Sequence, residues 1–449
     1  MTDSRQILLQ QMDAEICLHA WHDPVAQRLL ETLCLEIGPR PSGSPGMRRA
    51  LSYLAEHLAS LGAAGIHEEP VSVRSWEPGE PRVELRAPYR KSFSCGQYLF
   101  SSPIDAALPL VAREAPDLRG AAVLMDGHTV SGGRYVAIRQ HLEEVRQAGA
   151  AAIILRSTPP TGVPALDVAG MDGDFPLACF GVSREDGEEL AAVAGKGQVY
   201  LYASGASAPA QCANLVADLG PDEYTETLIL GAHLDSYWNA PGAGDNLTGV
   251  VTMLEVARLL APFRAAFRRR LHLVAFTGEE LGCLGSRAYV AAHREELARI
   301  PCMINMDTLF PATARGMAVV WRPELRDYIE AAFREAHRQV DVRNLFCMSS
   351  DYFPFMLAGL PVARPADWEN SLPMWWHSEL DDLRHIRADW VQHNAMVYTQ
   401  LLGRMLTDPN PLPSRRLTPE EVQQRLEKEE LGEWMIAQDY NWSLIPVVN

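Results

Sequence analysis

The sequence lacks the features that mark secreted, membrane-spanning or disulfide-stabilised proteins. Its eight cysteines are scattered and form no Cys-x-x-Cys pair, so they predict buried thiols in a reducing compartment. The first forty residues contain no uninterrupted apolar leader. No uncharged apolar run approaches the ~20 residues that span a bilayer. We therefore expect a soluble, cytoplasmic protein with no membrane partner.

Positive charge is also scarce. Lys and Arg number 40 against 57 Asp and Glu, which gives a net charge of −17. Such a chain repels phosphate backbones, so nucleic acid is not expected as a partner. The hydrophobic fraction of 47% is ample for a globular core. We find no internal repeat and no low-complexity tract.

The texture of the sequence changes along its 449 residues. Residues 1–90 begin with apolar positions at helical spacing, whereas 91–207 contain short β-type runs separated by Gly and Pro. From 208 to 410 strands and helices alternate, which favours a mainly parallel central sheet flanked by helices. The sequence thus predicts a discontinuous α/β domain (1–90 and 208–410) with a smaller, mostly β insertion at 91–207. A helical tail (411–449) follows, because Thr418-Pro419-Glu420-Glu421 forms a capping-box sequence.

Polar residues follow the apolar runs that predict central strands at 227–232 and 271–276. The first run leads into His233 and Asp235, and the second into Glu279 and Glu280. Ligand sites in open α/β sheets lie beyond the carboxyl ends of the strands. A metal-bound imidazole usually donates its second N–H to a carboxylate, which Asp235 can supply. Taken alone, each of these pairs is more often an ordinary buried or solvated polar pair.

Three further residues extend this set. Asp245 lies in a glycine-rich loop, Asp307 lies near the end of a predicted strand at 301–309, and His377 lies in a late loop. The combined set offers two imidazoles and four carboxylates. These suffice for two divalent cations with one shared carboxylate, and they leave one Glu free to act as a base.

The order of these motifs resembles the co-catalytic dizinc aminopeptidase family, which includes aminopeptidase Y and glutamate carboxypeptidase. The order is His-x-Asp, Gly-Ala-x-Asp-Asn, Gly-Glu-Glu, Asn-x-Asp and a late His. The resemblance covers roughly residues 25–90 and 210–406. Supporting matches lie at 38–44, 212–217, 350–351 and 359–361. The insertion is similar to the protease-associated domain found in several of these peptidases, through residues 118–124, 148–154 and 175–177.

The resemblance implies a zinc exopeptidase fold and a role for each position. Glu279 would be the general base, and Asp235 would orient His233. Gly244 stands where many members have a second acid, and Tyr352 stands where the family often has His. Five residues would bind two zinc ions, for which Co2+ or Mn2+ are possible substitutes: His233, Asp245 and Asp307 for one ion, and Asp245, Glu280 and His377 for the other.

The implied activity is hydrolysis of a peptide substrate at a chain end. The loops 233–246, 277–285 and 375–382 contain no Lys or Arg, whereas a terminal carboxylate is usually held by one. Arg364 is the nearest candidate in sequence to the last loop. This favours an aminopeptidase acting on short peptides. The alternatives are a carboxypeptidase or dipeptidase, a single-zinc acyltransferase of glutaminyl-cyclase type, and a receptor-like relative without activity. Homo-oligomers are possible.

Overall fold

The computed structural model describes residues 2–429 apart from 128–129, 132–133, 136–137, 171–172, 221–222, 225, 346–349, 369–373 and 414. The helices of this part of the chain are α1 (Thr2–His22), α2 (Val25–Glu31), α3 (Pro45–Ser60), α4 (Ile138–Gln147), α5 (Arg184–Val193), α6 (Thr248–Leu260), α7 (Leu284–Ala292), α8 (Pro323–Glu335), α9 (Tyr352–Leu357), α10 (Ala388–Thr407) and α11 (Pro419–Lys428). None of these described helices combines the length and the apolar character needed to cross a membrane.

The strands of the described residues are β1 (Ala64–Glu77), β2 (Arg82–Ala87), β3 (Lys91–Phe93), β4 (Cys95–Gln97), β5 (Ile104–Ala112), β6 (Ala122–Asp126), β7 (Val130–Ser131), β8 (Arg134–Tyr135), β9 (Ala152–Arg156), β10 (Ala178–Val182), β11 (Gly197–Ala203), β12 (Ala206–Leu219), β13 (Thr227–His233), β14 (Arg270–Phe276), β15 (Met303–Asn305), β16 (Gly316–Val319), β17 (Asp341–Asn344) and β18 (Val362–Pro365).

The first sheet is eight-stranded, in the order β1-β12-β14-β13-β15-β18-β16-β17. Strands β14, β13, β15 and β18 run parallel at its centre. Antiparallel pairs join β1 to β12, β12 to β14 and β16 to β18. Helices α1, α2, α3, α6, α8 and α10 pack on one face, and α7, α9 and α11 pack on the other. The predicted α/β class is confirmed, and the sheet is parallel at its centre and mixed at its edges.

The insertion forms a second eight-stranded sheet, in the order β3-β2-β11-β5-β6-β9-β10-β4. Strands β5, β6, β9 and β10 are parallel, with α4 and α5 on opposite faces. The second sheet therefore has as many strands as the first. It includes β2, which pairs with β11 and lies ahead of the predicted boundary at residue 91. The long strands β1 and β12 connect the two sheets.

The tail begins as its sequence predicts. The Thr418 hydroxyl accepts the main-chain N–H of Glu421, and the Glu421 carboxylate accepts that of Thr418, which completes the capping box of α11. Val422 and Leu426 of this helix are buried against the first sheet's layer of α7 and α9. The tail from residue 430 onward lies outside the described residues.

The carboxyl ends of the central parallel strands lie at one edge of the first sheet. Strand β13 ends at His233, β14 ends at Phe276 just before Thr277, and β15 ends at Asn305, two residues before Asp307. The segments that follow β13 and β14 remain hydrogen-bonded to each other, because the Leu234 N–H donates to the Phe276 carbonyl at 2.8 Å. The predicted site residues therefore start from one sheet edge.

Close packing of β13 gives a test of this arrangement. A Cβ atom at Gly231 would lie 2.5 Å from a ring carbon of Phe276 and 3.1 Å from the methyl group of Met303. We expect Gly231→Ala to lower the free energy of unfolding by about 1–3 kcal/mol, the usual cost of overpacking, as measured by urea denaturation. Gly173→Ala is the control, since its Cβ would meet nothing within 4 Å. Equal stability of the two variants would contradict this packing.

Candidate metal centre

The first group of potential ligands forms where β13 and β15 end. His233 Nε2 lies 3.1 Å from Asp245 Oδ1 and 3.5 Å from Asp307 Oδ1. The Nδ1 atom of the same ring lies 3.2 Å from the main-chain oxygen of Asp235 and 3.7 Å from its carboxylate. With Nδ1–H directed at Asp235, Nε2 keeps its lone pair for a cation. The main-chain oxygen of Asp235 is thus closer to the ring than the carboxylate proposed from the sequence.

The second group lies on the other side of Asp245. His377 Nε2 lies 3.3 Å from Glu280 Oε2 and 3.6 Å from Asp245 Oδ2. Asp245 therefore directs one carboxylate oxygen to each group, as a bridging ligand must. Within each group the ligand atoms lie within 4.8 Å of one another. The structure brings together the two sets that the resemblance implied.

The loop that carries Asp245 is held by the late loop around His377. Asp381 accepts the main-chain N–H groups of Gly244 and Asp245 at 2.6 and 3.0 Å. The indole N–H of Trp376 donates to Asp245 Oδ2. At Gly244 a Cβ atom would lie 2.3 Å from the indole of Trp375, so this indole leaves no room for a side chain at this position.

The Asp235 carboxylate lies beside His233 and also accepts hydrogen bonds from the turn after β14. It accepts the main-chain N–H groups of Glu279 and Glu280 at 3.2 and 3.4 Å, and the hydroxyl of Ser42 at 3.3 Å. These bonds fix the turn after β14, so that Glu280 joins the second group while Glu279 belongs to neither. The Glu279 carboxylate lies 3.8 Å from Cys283 Sγ.

Some residues that hold the ligands were not identified from the sequence. The Ser350 hydroxyl donates to Asp307 Oδ2, and Asn305 Nδ2 donates to the same hydroxyl at 2.6 Å. The ring of Tyr237 packs on His377 with centroids 4.1 Å apart. The match at 350–351 included Ser350, but no spacing rule indicated its contact with Asp307. These contacts join segments that are distant in the sequence.

The electrostatics of the centre favour a bound cation. Burial and the charge of Asp245 raise the pKa of Glu280 to about 8, and burial raises the pKa of Glu279 well above its usual range. Burial opposes the charged form of His377, but Glu280 and Asp245 raise its pKa to about 10. Glu280 Oε1 is buried without a hydrogen-bond partner. Two imidazoles among converging carboxylates fit zinc. Its positive charge would neutralise the excess negative charge of the carboxylates.

Fold and site together define a metal-dependent hydrolase built on a mixed α/β sheet, with the ligands at the carboxyl ends of its parallel strands. Residues 214–402 match Peptidase family M28. This match confirms the resemblance inferred from the motifs.

Individual proteins of known sequence or structure are similar to this chain. Carboxypeptidase Q of Xenopus laevis is 26% identical over 409 residues, which cover 85% of this chain and 86% of that protein. The crystal structure of a peptidase M28 precursor from Shewanella amazonensis SB2B matches with a TM-score of 0.81 and 22% identity, over 93% of this chain and 100% of that one. BSAP, a zinc aminopeptidase from Bacillus subtilis, matches with a TM-score of 0.68 and 21% identity, over 87% and 97%. The two structures share the fold.

We expect uptake of Zn2+ by the metal-free protein at pH 7 to release protons. With pKa values of about 10 for His377 and about 8 for Glu280, both groups are protonated at this pH and must lose the proton to become ligands. The apparent affinity for Zn2+ should therefore rise with pH. Calorimetric titrations in two buffers of different ionisation enthalpy count the protons, and a heat that does not depend on the buffer would contradict this expectation.

Proposed function

We propose that this chain is a zinc-dependent exopeptidase that binds two ions and acts as an aminopeptidase on short peptides. The observation that carries the proposal is the position of Asp245 between His233 and His377, with one carboxylate oxygen facing each ligand group. A site for a single ion would need no such shared carboxylate. This distinguishes the proposal from a single-zinc acyltransferase, and the complete ligand set argues against a relative without activity.

In the proposed reaction, the ions activate the water and the substrate, and Glu279 transfers the proton. When bound, such ions acidify water and polarise a peptide carbonyl. Glu279 is the group in position to accept the proton of the attacking water and to pass it to the leaving amine. It belongs to neither ligand group, it is half-buried, and its raised pKa is of the kind that general bases require. Asp235 fixes the main chain of Glu279 through a hydrogen bond of 3.2 Å.

The charges around the centre favour binding of a substrate's ammonium end. Arg40 is fully buried and donates to the carbonyl oxygens of Gly38, Leu234 and Pro241. Arg74 lines a cavity of about 10 Å3 beside Glu280, which is large enough for a water molecule.

Arg74 and Arg364 both have partners of their own. Arg74 binds Asp174 and the hydroxyl of Ser207. Arg364, on β18, donates to the carbonyl oxygen of Pro365 at 3.1 Å. Arg74 Nη1 is buried without a hydrogen-bond partner, so Arg74 is only partly engaged. The acidic side chains outnumber it around the centre and are the natural partners of a substrate's ammonium end.

A carboxypeptidase or dipeptidase on the same fold is the second candidate. The similarity to carboxypeptidase Q, 26% identity over 409 residues, favours it. The protease-associated identity of the insertion, the cytoplasmic location and the state of oligomerisation stay predictions.

The first functional test concerns Glu279. We expect the unmodified protein to contain two zinc ions per chain by elemental analysis, and Glu279→Gln to keep both while kcat falls by ~10² to 10⁴, the usual worth of general acid–base catalysis. Glu280→Gln is the matched control and should lose metal, because this change removes a ligand. Near-normal turnover of Glu279→Gln with its metal in place would rule out Glu279 as the base.

The second test separates the two polarities. A free tripeptide is compared with its N-acetylated form, its C-amidated form and a free dipeptide at equal concentration. We expect N-acetylation to abolish cleavage and C-amidation to leave it largely intact, because the acidic site binds the free ammonium group. The reverse pattern would establish a carboxypeptidase, and cleavage restricted to free dipeptides would establish a dipeptidase.

A further inference from the structure

A short segment of the insertion, residues 165–168, lies directly against the loop of His377. The main-chain N–H of Leu166 donates to the carbonyl oxygen of His377 at 2.9 Å. Ala165 and Ser378 form an antiparallel β-bridge next to it. The backbone of a residue in the second ligand group is therefore hydrogen-bonded to the insertion.

This segment is itself fixed to the sheet of the insertion. A Cβ atom at Gly96 would lie 2.7 Å from both methyl groups of Leu166, and one at Gly181 would lie 2.8 Å from one of them. Glycine in β4 and β10 thus makes room for this leucine. The N–H of Ala165 donates to the Ser157 hydroxyl at 2.8 Å. The bond to His377 therefore starts from a well-anchored element.

A second contact joins the insertion to the His377 side chain. The ring of Tyr237, two residues after Asp235, packs on the imidazole of His377 and is itself buried. Its hydroxyl donates to Asp167 Oδ1 of the insertion at 3.3 Å. The indole of Trp376 also stacks on this imidazole, with centroids 3.7 Å apart. One of the two rings that pack on the imidazole is therefore held in place by the insertion.

We propose that the insertion completes the second ligand group, with Tyr237 and Asp167 as positioning residues that fix the imidazole of His377. The insertion then sets how tightly this group holds its cation, whereas His233 and Asp307 are hydrogen-bonded to Asp235, Asp245 and Ser350, which lie outside the insertion. The physical reason is preorganisation, since partners that orient a ligand are typically worth ~10- to 100-fold in metal affinity. This inference rests on the proposed two-ion centre.

The test is calorimetric titration of the metal-free protein with Zn2+. Tyr237→Phe keeps the aromatic ring and removes the hydroxyl that binds Asp167. We expect the second-group step to weaken by ~10-fold while the other step changes little. The second-group step is identified as the one that Glu280→Gln abolishes. Tyr200→Phe is the matched control, because it removes a 2.8 Å hydrogen bond from Tyr200 to Asp105 on the exposed surface of the insertion.

A double-mutant cycle sharpens the result. Asp167→Ala should weaken the same step, and the double variant with Tyr237→Phe should add little, because both changes break one bond. Unchanged affinities in Tyr237→Phe, or an equal loss at both steps, would overturn the proposal while leaving a two-ion centre intact. An unmodified protein that takes up no zinc would instead overturn the proposed function and this inference together.

Discussion

The mutual repulsion of buried carboxylates is the constraint on which the site depends. Asp245, Glu280 and Asp307 converge on two imidazoles at one sheet edge, with Glu279 and Asp235 close by. Acids in such an environment take up protons or bind cations, because a low dielectric penalises unpaired charge. In the proposed function, a divalent cation in each ligand group would resolve the repulsion. The ligands would then be deprotonated, and Glu279 would be free to act as a base.

Many hydrogen bonds around the centre restrain these acids rather than neutralise them. Asp235 receives the main-chain N–H groups of the turn after β14, and Asp381 receives those of the Asp245 loop. Ser350 holds Asp307. Each bond satisfies a buried polar group and sets the direction of a ligand at the same time. An acid that repels its neighbours is thereby kept within reach of a shared cation.

The insertion contributes to the proposed metal centre. Strands β1 and β12 connect two sheets of equal strand number. The segment between β9 and β10 places Leu166 against the loop of His377 and Asp167 against Tyr237. One ligand group is thus built within the first sheet and its helices. The other also depends on contacts between the two sheets. A substitution in the insertion can therefore change the metal affinity of the second ligand group without altering any ligand.

The sequence by itself determined where the central strands end and which residue types follow them. Strands predicted at 227–232 and 271–276 are observed at Thr227–His233 and Arg270–Phe276, because buried parallel strands are continuously apolar. The strand predicted at 301–309 is observed only at Met303–Asn305. Beyond it, the N–H of Thr308 donates to the Asn246 side chain at 3.1 Å, and Ser350 binds Asp307. An apolar run does not show where such competing side chains interrupt a strand.

Tertiary structure alone decided how the ligands face one another. The motif order listed the residues, but the two oxygens of Asp245 were assigned to different groups only by the positions of His233 and His377. The contacts of Leu166 with His377 and of Tyr237 with Asp167 join segments 211 and 70 residues apart. Local patterns encode periodicity and residue type. Contacts across such separations arise from the packing of one sheet against another.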